Sequence, residues 1–124
     1  MSGNKRQAGI DGEIRAEKFL KKNGYKIVER NFHSCFGEID IVAEKDKYFV
    51  FVEVKYRSGS SYGTPQDSVD RNKQKKIART ALQYMKVNGL LGNDARFDVV
   101  AIGPEKDNVE LITNAFESEL RSTY

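Results

Sequence analysis

The stretch from Gly37 to Lys55 constrains this 124-residue chain more than any other. Gly37-Glu38-Ile39-Asp40-Ile41-Val42-Ala43 and Tyr48-Phe49-Val50-Phe51-Val52-Glu53-Val54-Lys55 are apolar runs rich in β-branched and aromatic residues, separated by Glu44-Lys45-Asp46-Lys47. That is the pattern of strand, turn and strand. Charges interrupt it at Asp40, Glu53 and Lys55. Alternation puts Glu53 and Lys55 on one face of their strand, and Glu38 and Asp40 on one face of theirs. An even hairpin loop, either Glu44 to Lys47 or Asp46-Lys47 alone, aligns Asp40 with Phe51, Glu53 and Lys55. The shorter loop sets Asp40 opposite Glu53. An odd loop or a bulge sends Asp40 to the other face. That other face, Ile39, Ile41 and Ala43 with Tyr48, Val50, Val52 and Val54, reads as core.

Carboxylates beside a core are costly unless paired or bound to a cation. Two carboxylates, waters and a substrate phosphate are the usual donors to Mg²⁺. A lysine two residues from such a ligand can orient a water, or take its proton where burial depresses its pKa. The parts suit metal-dependent phosphodiester hydrolysis. The alternative is a structural ion pair between Asp40 and Lys55, with Glu53 at a solvated strand end. These residues alone leave both readings open.

The remaining chain narrows the choice. A length of 124 residues with 39% hydrophobic and 31% charged residues reads as one globular domain. No apolar run approaches the ~20 residues that span a bilayer, and Met1 to Arg6 precede no apolar signal segment. One cysteine, Cys35, excludes an internal disulfide and fits a reducing, cytoplasmic setting. A net charge of +3 permits a nucleic-acid partner without demanding one.

In chain order, Met1 to Asn4 read as loose. A helix is predicted over Lys5 to Asn23, starting as late as Asp11, with Ile10, Ile14, Ala16, Phe19 and Leu20 as its apolar face. Glu13 and Glu17 share one side of it. Glu13 is open between the carboxylate site and solvent, and Glu17 reads as a solvated glutamate. Tyr25 to Phe32 alternate as a first strand. His33 to Phe36 form a connection, with a polar histidine and a semi-buried thiol and too few ligands for zinc. After Lys55, the segment Tyr56 to Gly63 reads as a flexible loop in which Arg57 is placed to grip a phosphate. A helix is predicted from the Thr64-Pro65 start to Asn88, buried along Val69, Ile77, Ala81, Tyr84 and Met85. Arg71, Lys75 and Arg79, with Lys73, Lys76 and Lys86 nearby, make a basic ridge suited to a phosphate backbone. Such ridges are more often plain solvated faces. Strands follow at Arg96–Ile102 and Val109–Thr113, then a short helix over Ala115–Leu120. Asp98 reads as structural, capping a loop or pairing with Arg96.

This order, with an acid on the second strand and Glu-x-Lys on the third, resembles the PD-(D/E)xK, restriction-endonuclease-like superfamily. It is most similar to the YraN-type family, usually labelled a predicted endonuclease. The resemblance covers nearly the whole chain. It rests on Gly12-Glu13 with Ala16, Arg30-Asn31, Gly37-Glu38-Ile39-Asp40, Phe51-Val52-Glu53-Val54-Lys55 with Arg57, Gly63 with Pro65, Lys73 with Ile77 and Ala81, and Arg96-Phe97-Asp98-Val99. Ile39 stands where the superfamily has proline. The resemblance implies an α/β fold, an αβββαβ core with a mixed central sheet flanked by helices, plus a further C-terminal strand. It implies Mg²⁺ or Mn²⁺ held by Asp40, Glu53 and the Val54 carbonyl, with Lys55 at the attacking water. It likens Glu13 to the first-helix glutamate of archaeal Holliday-junction resolvases. DNA, branched or junction DNA included, is the implied substrate, and a homodimer is compatible with cutting both strands. The competing expectation is a catalytically inactive nucleic-acid-binding module that uses the basic helix 65–88.

Overall fold

Strands that are apolar on both faces must be covered on both sides, and that requirement sets the layers here. The computed structural model describes residues 2–57, 69–105 and 108–116, with backbone alone for 2–10. Its elements are α1 (Ser2–Lys22), β1 (Lys26–Ser34), β2 (Gly37–Lys45), β3 (Tyr48–Tyr56), α2 (Arg71–Val87), β4 (Asp94–Ile102) and β5 (Val109–Ile112). The strands form one sheet in the order β1-β2-β3-β4-β5. β3 and β4 run parallel and every other pair is antiparallel. A parallel pair needs a long crossover, and α2 lies within it. The αβββαββ order is consistent with a restriction-endonuclease-like core carrying one further strand.

Alternation along β3 and β4 sends side chains to both helices. Phe51, Phe97 and Val99 pack with Ile77, Ala81, Tyr84 and Met85 of α2. Val50, Val52, Val100 and Ile102 pack with Ala16 and Leu20 of α1. Leu20, Phe51 and Met85 are at most 1% exposed, and burial of such side chains is worth about 1.5–3 kcal/mol each.

Several boundaries differ from the sequence expectation. α1 is already helical at Ser2–Asn4, which were expected to be loose. Ile14, assigned to the apolar face, is 47% exposed, because it lies roughly 200° around the helix from Ala16. β1 extends through His33 to Ser34, and Cys35 is exposed in the turn rather than semi-buried. The expected Thr64–Asp67 helix start lies outside the described residues. α2 itself begins at Arg71, capped by the Asp70 carboxylate, which accepts the Lys73 N–H at 2.8 Å. A continuous helix from residue 65 is therefore excluded, although Val69 is buried as expected. Ala115 and Phe116 are not helical. The Ala115 N–H donates to the Phe97 carbonyl at 2.7 Å, and the Phe116 ring stacks on Phe97 at 4.9 Å. Residues 117–120 lie outside the described part.

Two local features position the site. The Lys45↔Tyr48 pair closes the hairpin on the two-residue loop Asp46-Lys47, with Asp46 left-handed at φ 56°. Farther along, the β1–β2 pair rolls over. Its register passes from Arg30↔Ile41 to Phe32↔Ile39, and the intervening Asn31 is left-handed at φ 52°. Before the roll, Ile41 packs on the α1 side and Arg30 bonds Glu17 of α1. After it, Ile39 packs on the α2 side and Phe32 meets the Tyr84 ring edge-on at 5.1 Å. The expectation that Ile39 shares a face with Ile41 and Ala43 is thus overturned. Asp40 sits at the roll.

The buried acid on β4 is structural. Asp98 is 0% exposed. Its carboxylate accepts the Tyr25 hydroxyl at 2.8 Å, Arg96 Nε and a second guanidinium nitrogen at 3.0 Å, and the Asn114 N–H at 2.9 Å. Burial and this bond push the Tyr25 phenol up to about 12. Asp98→Ala takes the carboxylate away from the half-buried Arg96 guanidinium and from the Tyr25 hydroxyl, leaving the charge unbalanced. It is expected to cost about 3–5 kcal/mol, read from the urea midpoint at unchanged slope. Asn31 tests the roll: Asn31→Gly is expected to be nearly neutral. Asn31→Val costs about 1–2 kcal/mol in the same assay, since a branched residue resists the left-handed region.

Candidate metal centre

The β2–β3 ladder stops at Ile41↔Val52. Where the next rung would fall, the strands part, and the Asp40 carboxylate reaches across to accept the Val54 N–H at 2.8 Å. A side chain thus satisfies a backbone donor that the departing strand leaves without a ladder partner. This fixes Asp40 against the outgoing half of β3, one residue from Glu53. The two carboxylates are close enough to act on each other. Burial, then repulsion from Glu53, then the more distant Glu13 and Glu38 raise the Asp40 carboxyl to about 7, against the lowering effect of the Val54 N–H.

Glu53 is 8% exposed. Its Oε1 lies 2.6 Å from the ammonium of Lys73, on the first turn of α2. Lys73 also lies against Lys55. That contact, followed by burial, lowers the Lys55 pKa against the pull of Glu53 and Asp40. For Lys73, burial opposes the charge, but the bonds to Glu53 and Lys55 outweigh it and its pKa is raised. Asp40 forms no ion pair with Lys55. In place of the Asp40–Lys55 pair of the structural alternative, Glu53 pairs with Lys73.

The other candidate residues divide by position. Glu13, half-buried on α1, faces the acidic side of the site; burial and then Glu38 raise its pKa. Glu38 itself holds His33 Nδ1 at 3.2 Å. Among the described residues, no three His, Cys, Asp or Glu side chains close on one point, so Glu13 stands outside the Asp40–Glu53 pair. Val54 meets Asp40 through its N–H. Arg57 follows β3, its N–H donating to the Ile102 carbonyl at 2.8 Å and its guanidinium 3.4 Å from Glu110 of β5. Arg71, Lys75 and Arg79 are exposed on α2. Glu17 is not the solvated glutamate expected. The Arg30 guanidinium, first, and Lys21 hold it down to about 2 and tie α1 to β1.

Pairing of Lys73 with Glu53 was missed from the sequence, where Lys73 was assigned to the outer basic ridge. A signal existed. Lys73, Ile77 and Ala81 are four apart, so Lys73 lies on the buried stripe of α2. A lysine on that stripe needs a buried anion.

Asp40 and Glu53 can offer hard oxygen ligands from two adjacent strands, and the repulsion between them is the kind a divalent cation relieves. The Lys73 ammonium already shows that a cation sits favourably on the Glu53 oxygen. The donor set fits Mg²⁺ or Mn²⁺ bound by two carboxylates with the remaining positions open. It does not form a closed protein cage.

No helix among the described residues is long and apolar enough to cross a membrane. The profile of the uncharacterised protein family UPF0102 matches residues 12–102, a span that takes in Glu13, Asp40, Glu53, Lys55, Lys73 and Asp98. The chain is 48% identical to a UPF0102 protein of Desulfosudis oleivorans over 123 residues, 99% of this chain and 100% of the other. It is 46% identical to one of Geobacter sulfurreducens over 112 residues, 88% of each. It is 45% identical to one of Syntrophus aciditrophicus over 113 residues, 90% and 89%. With its strand motifs and sheet order, this chain belongs to the uncharacterised protein family UPF0102, the nuclease-like YraN family.

Proposed function

We propose that the protein is a Mg²⁺- or Mn²⁺-dependent endonuclease that hydrolyses phosphodiester bonds of DNA. The observation that carries this reading is the Asp40–Glu53 pair at the end of a split ladder, with Lys55 beside it. Asp40 and Glu53 would hold the cation, with the Val54 carbonyl as a further donor by family resemblance. When bound, a divalent cation neutralises charge on a phosphoryl oxygen and acidifies water. Lys55 is positioned two residues beyond Glu53 on the same face. There it can orient the attacking water or take its proton. The water oxygen then bonds to phosphorus, the bridging P–O bond breaks, and the leaving oxygen is protonated from solvent. Arg71, Lys75 and Arg79 on the exposed face of α2 would track the backbone. Junction or otherwise branched DNA is the substrate class that the family resemblance favours, and a homodimer would allow paired cuts.

A second reading is that of a module that binds nucleic acid without cutting it. The observation in its favour is Lys73, which already neutralises Glu53. The two readings separate in one assay. Labelled linear, single-stranded and four-way-junction DNA are incubated with and without Mg²⁺ or Mn²⁺. The endonuclease reading expects metal-dependent cleavage that falls at least about a hundredfold in Asp40→Ala and Lys55→Ala. Cleavage that survives either change overturns it. The binding reading expects no cleavage and a salt-sensitive affinity that Lys75→Glu weakens and Asp40→Ala does not.

Stability gives an independent check. The Asp40 carboxyl is raised in the folded state to about 7 from 3.8. Its charged form therefore costs the fold fully above pH 7, and the cost fades as pH falls toward 4. Asp40→Asn is expected to raise the metal-free melting temperature at pH 8, on the order of 4 °C for about 1 kcal/mol. The gain should vanish near pH 4. Millimolar Mg²⁺ should raise the melting temperature of the wild type and leave Asp40→Asn unchanged.

A further inference from the structure

The metal reading leaves Lys73 unexplained. It lies at the start of α2, held there by the Asp70 cap on its own N–H at 2.8 Å. Its side chain is 39% exposed, yet it turns inward to Glu53, whose side chain is 10% exposed, at 2.6 Å. It does so although Lys55 is already adjacent. Two lysines in contact are tolerable only where one yields its charge or carboxylates balance them. Asp40 and Glu53 against Lys55 and Lys73 sum to zero formal charge. A divalent cation on the two carboxylates removes that balance and leaves both lysines without counter-anions. An incoming phosphodiester restores it. Of the two lysines, Lys55 is fixed on a central strand. Lys73 stands at the mouth of the site, on the turn that also carries Arg71 and Lys75.

Building on the endonuclease reading, we propose that Lys73 is an exchangeable internal cation. It occupies the Glu53 carboxylate until a divalent metal displaces it, and it then pairs with a phosphate of the nucleic acid. Two consequences follow from mass action. Lys73 competes with the metal, so free protein takes up metal more weakly than the two carboxylates alone would. Displaced Lys73 adds a phosphate contact, so metal and DNA strengthen each other's binding, and by equal factors. The site would load its metal most readily when substrate is present. Lys73 acts here by pairing with Glu53 and with phosphate, and takes no part in the proton transfer assigned to Lys55.

The test titrates Mn²⁺ by calorimetry into protein free of DNA. Lys73→Gln is expected to bind Mn²⁺ about fivefold or more tightly than wild type, and Lys73→Arg about as weakly as wild type. A purely structural lysine would give the opposite, weaker binding in Lys73→Gln. A second measurement uses the unaltered protein: acylation of Lys73 by an amine-reactive reagent, read by mass spectrometry, should rise several-fold on addition of Mn²⁺. Equal Mn²⁺ affinity in wild type and Lys73→Gln, or unchanged acylation in protein shown to bind Mn²⁺, overturns the exchange and leaves the two-carboxylate metal site standing. No Mn²⁺ uptake by wild type or either variant overturns both.

Discussion

The bond from the Val54 N–H to the Asp40 carboxylate is the constraint on which the site depends. Hydrogen-bonded strands cannot separate in a protein interior without leaving donors and acceptors empty. β2 and β3 do separate, after Ile41↔Val52, and Asp40 makes that separation affordable by supplying an acceptor in place of the lost strand. The roll of β1–β2 at Asn31 swings β2 aside, and the carboxylate bridges the opening. One residue therefore does two jobs. It closes the backbone account of β3, and it holds an anion beside Glu53.

The electrostatics follow from that placement. A carboxylate tied to a backbone donor cannot move away from its neighbour, so repulsion between Asp40 and Glu53 is built in and the Asp40 carboxyl is pushed upward. The protein answers with two lysines from two different elements, Lys55 on β3 and Lys73 on α2. They are close enough that the first is pushed downward by the second. Stability is spent here on a balance of opposed charges that a hydrophobic replacement would not need. Active sites are where such shifts concentrate. The arrangement is electrostatically poised: two carboxylates and two lysines act on one another at once.

Much of this was legible from residue order. The Asp46-Lys47 hairpin was one of the two even loops considered, with an odd loop left open. Either even loop puts Asp40 with Glu53 and Lys55, because strand period and loop parity leave little freedom. The α2 stripe of Ile77, Ala81, Tyr84 and Met85 was equally plain, since its period is helical. What was not legible has physical reasons. The roll at Asn31 depends on one left-handed residue inside an alternating run, and asparagine enters that region without announcing it. It carried Ile39 to the other side of the sheet. The start of α2 was drawn too early because Thr64-Pro65 makes a good local start signal. The neighbour of the Arg57 guanidinium, Glu110 at 3.4 Å, comes from a strand distant in sequence and could not be read from its place after Lys55.

Asp40 and Asp98 show how a buried acid can be read. Both interrupt apolar strands, and composition does not separate them. Asp98 is fully enclosed, and a phenol, a guanidinium and a backbone N–H saturate its oxygens. Nothing further can bind there without breaking a bond already made, so the group is finished and its role is to hold β1, β4 and the chain after β5 together. Asp40 has a backbone N–H on one oxygen and a second carboxylate as its neighbour, and among the described residues it makes no ion pair. Its bonding is incomplete in the one way that a cation would complete. The distinction lies in how much bonding capacity each acid has left over. By that measure the site at the end of β3 is the part of this fold that stability alone does not explain.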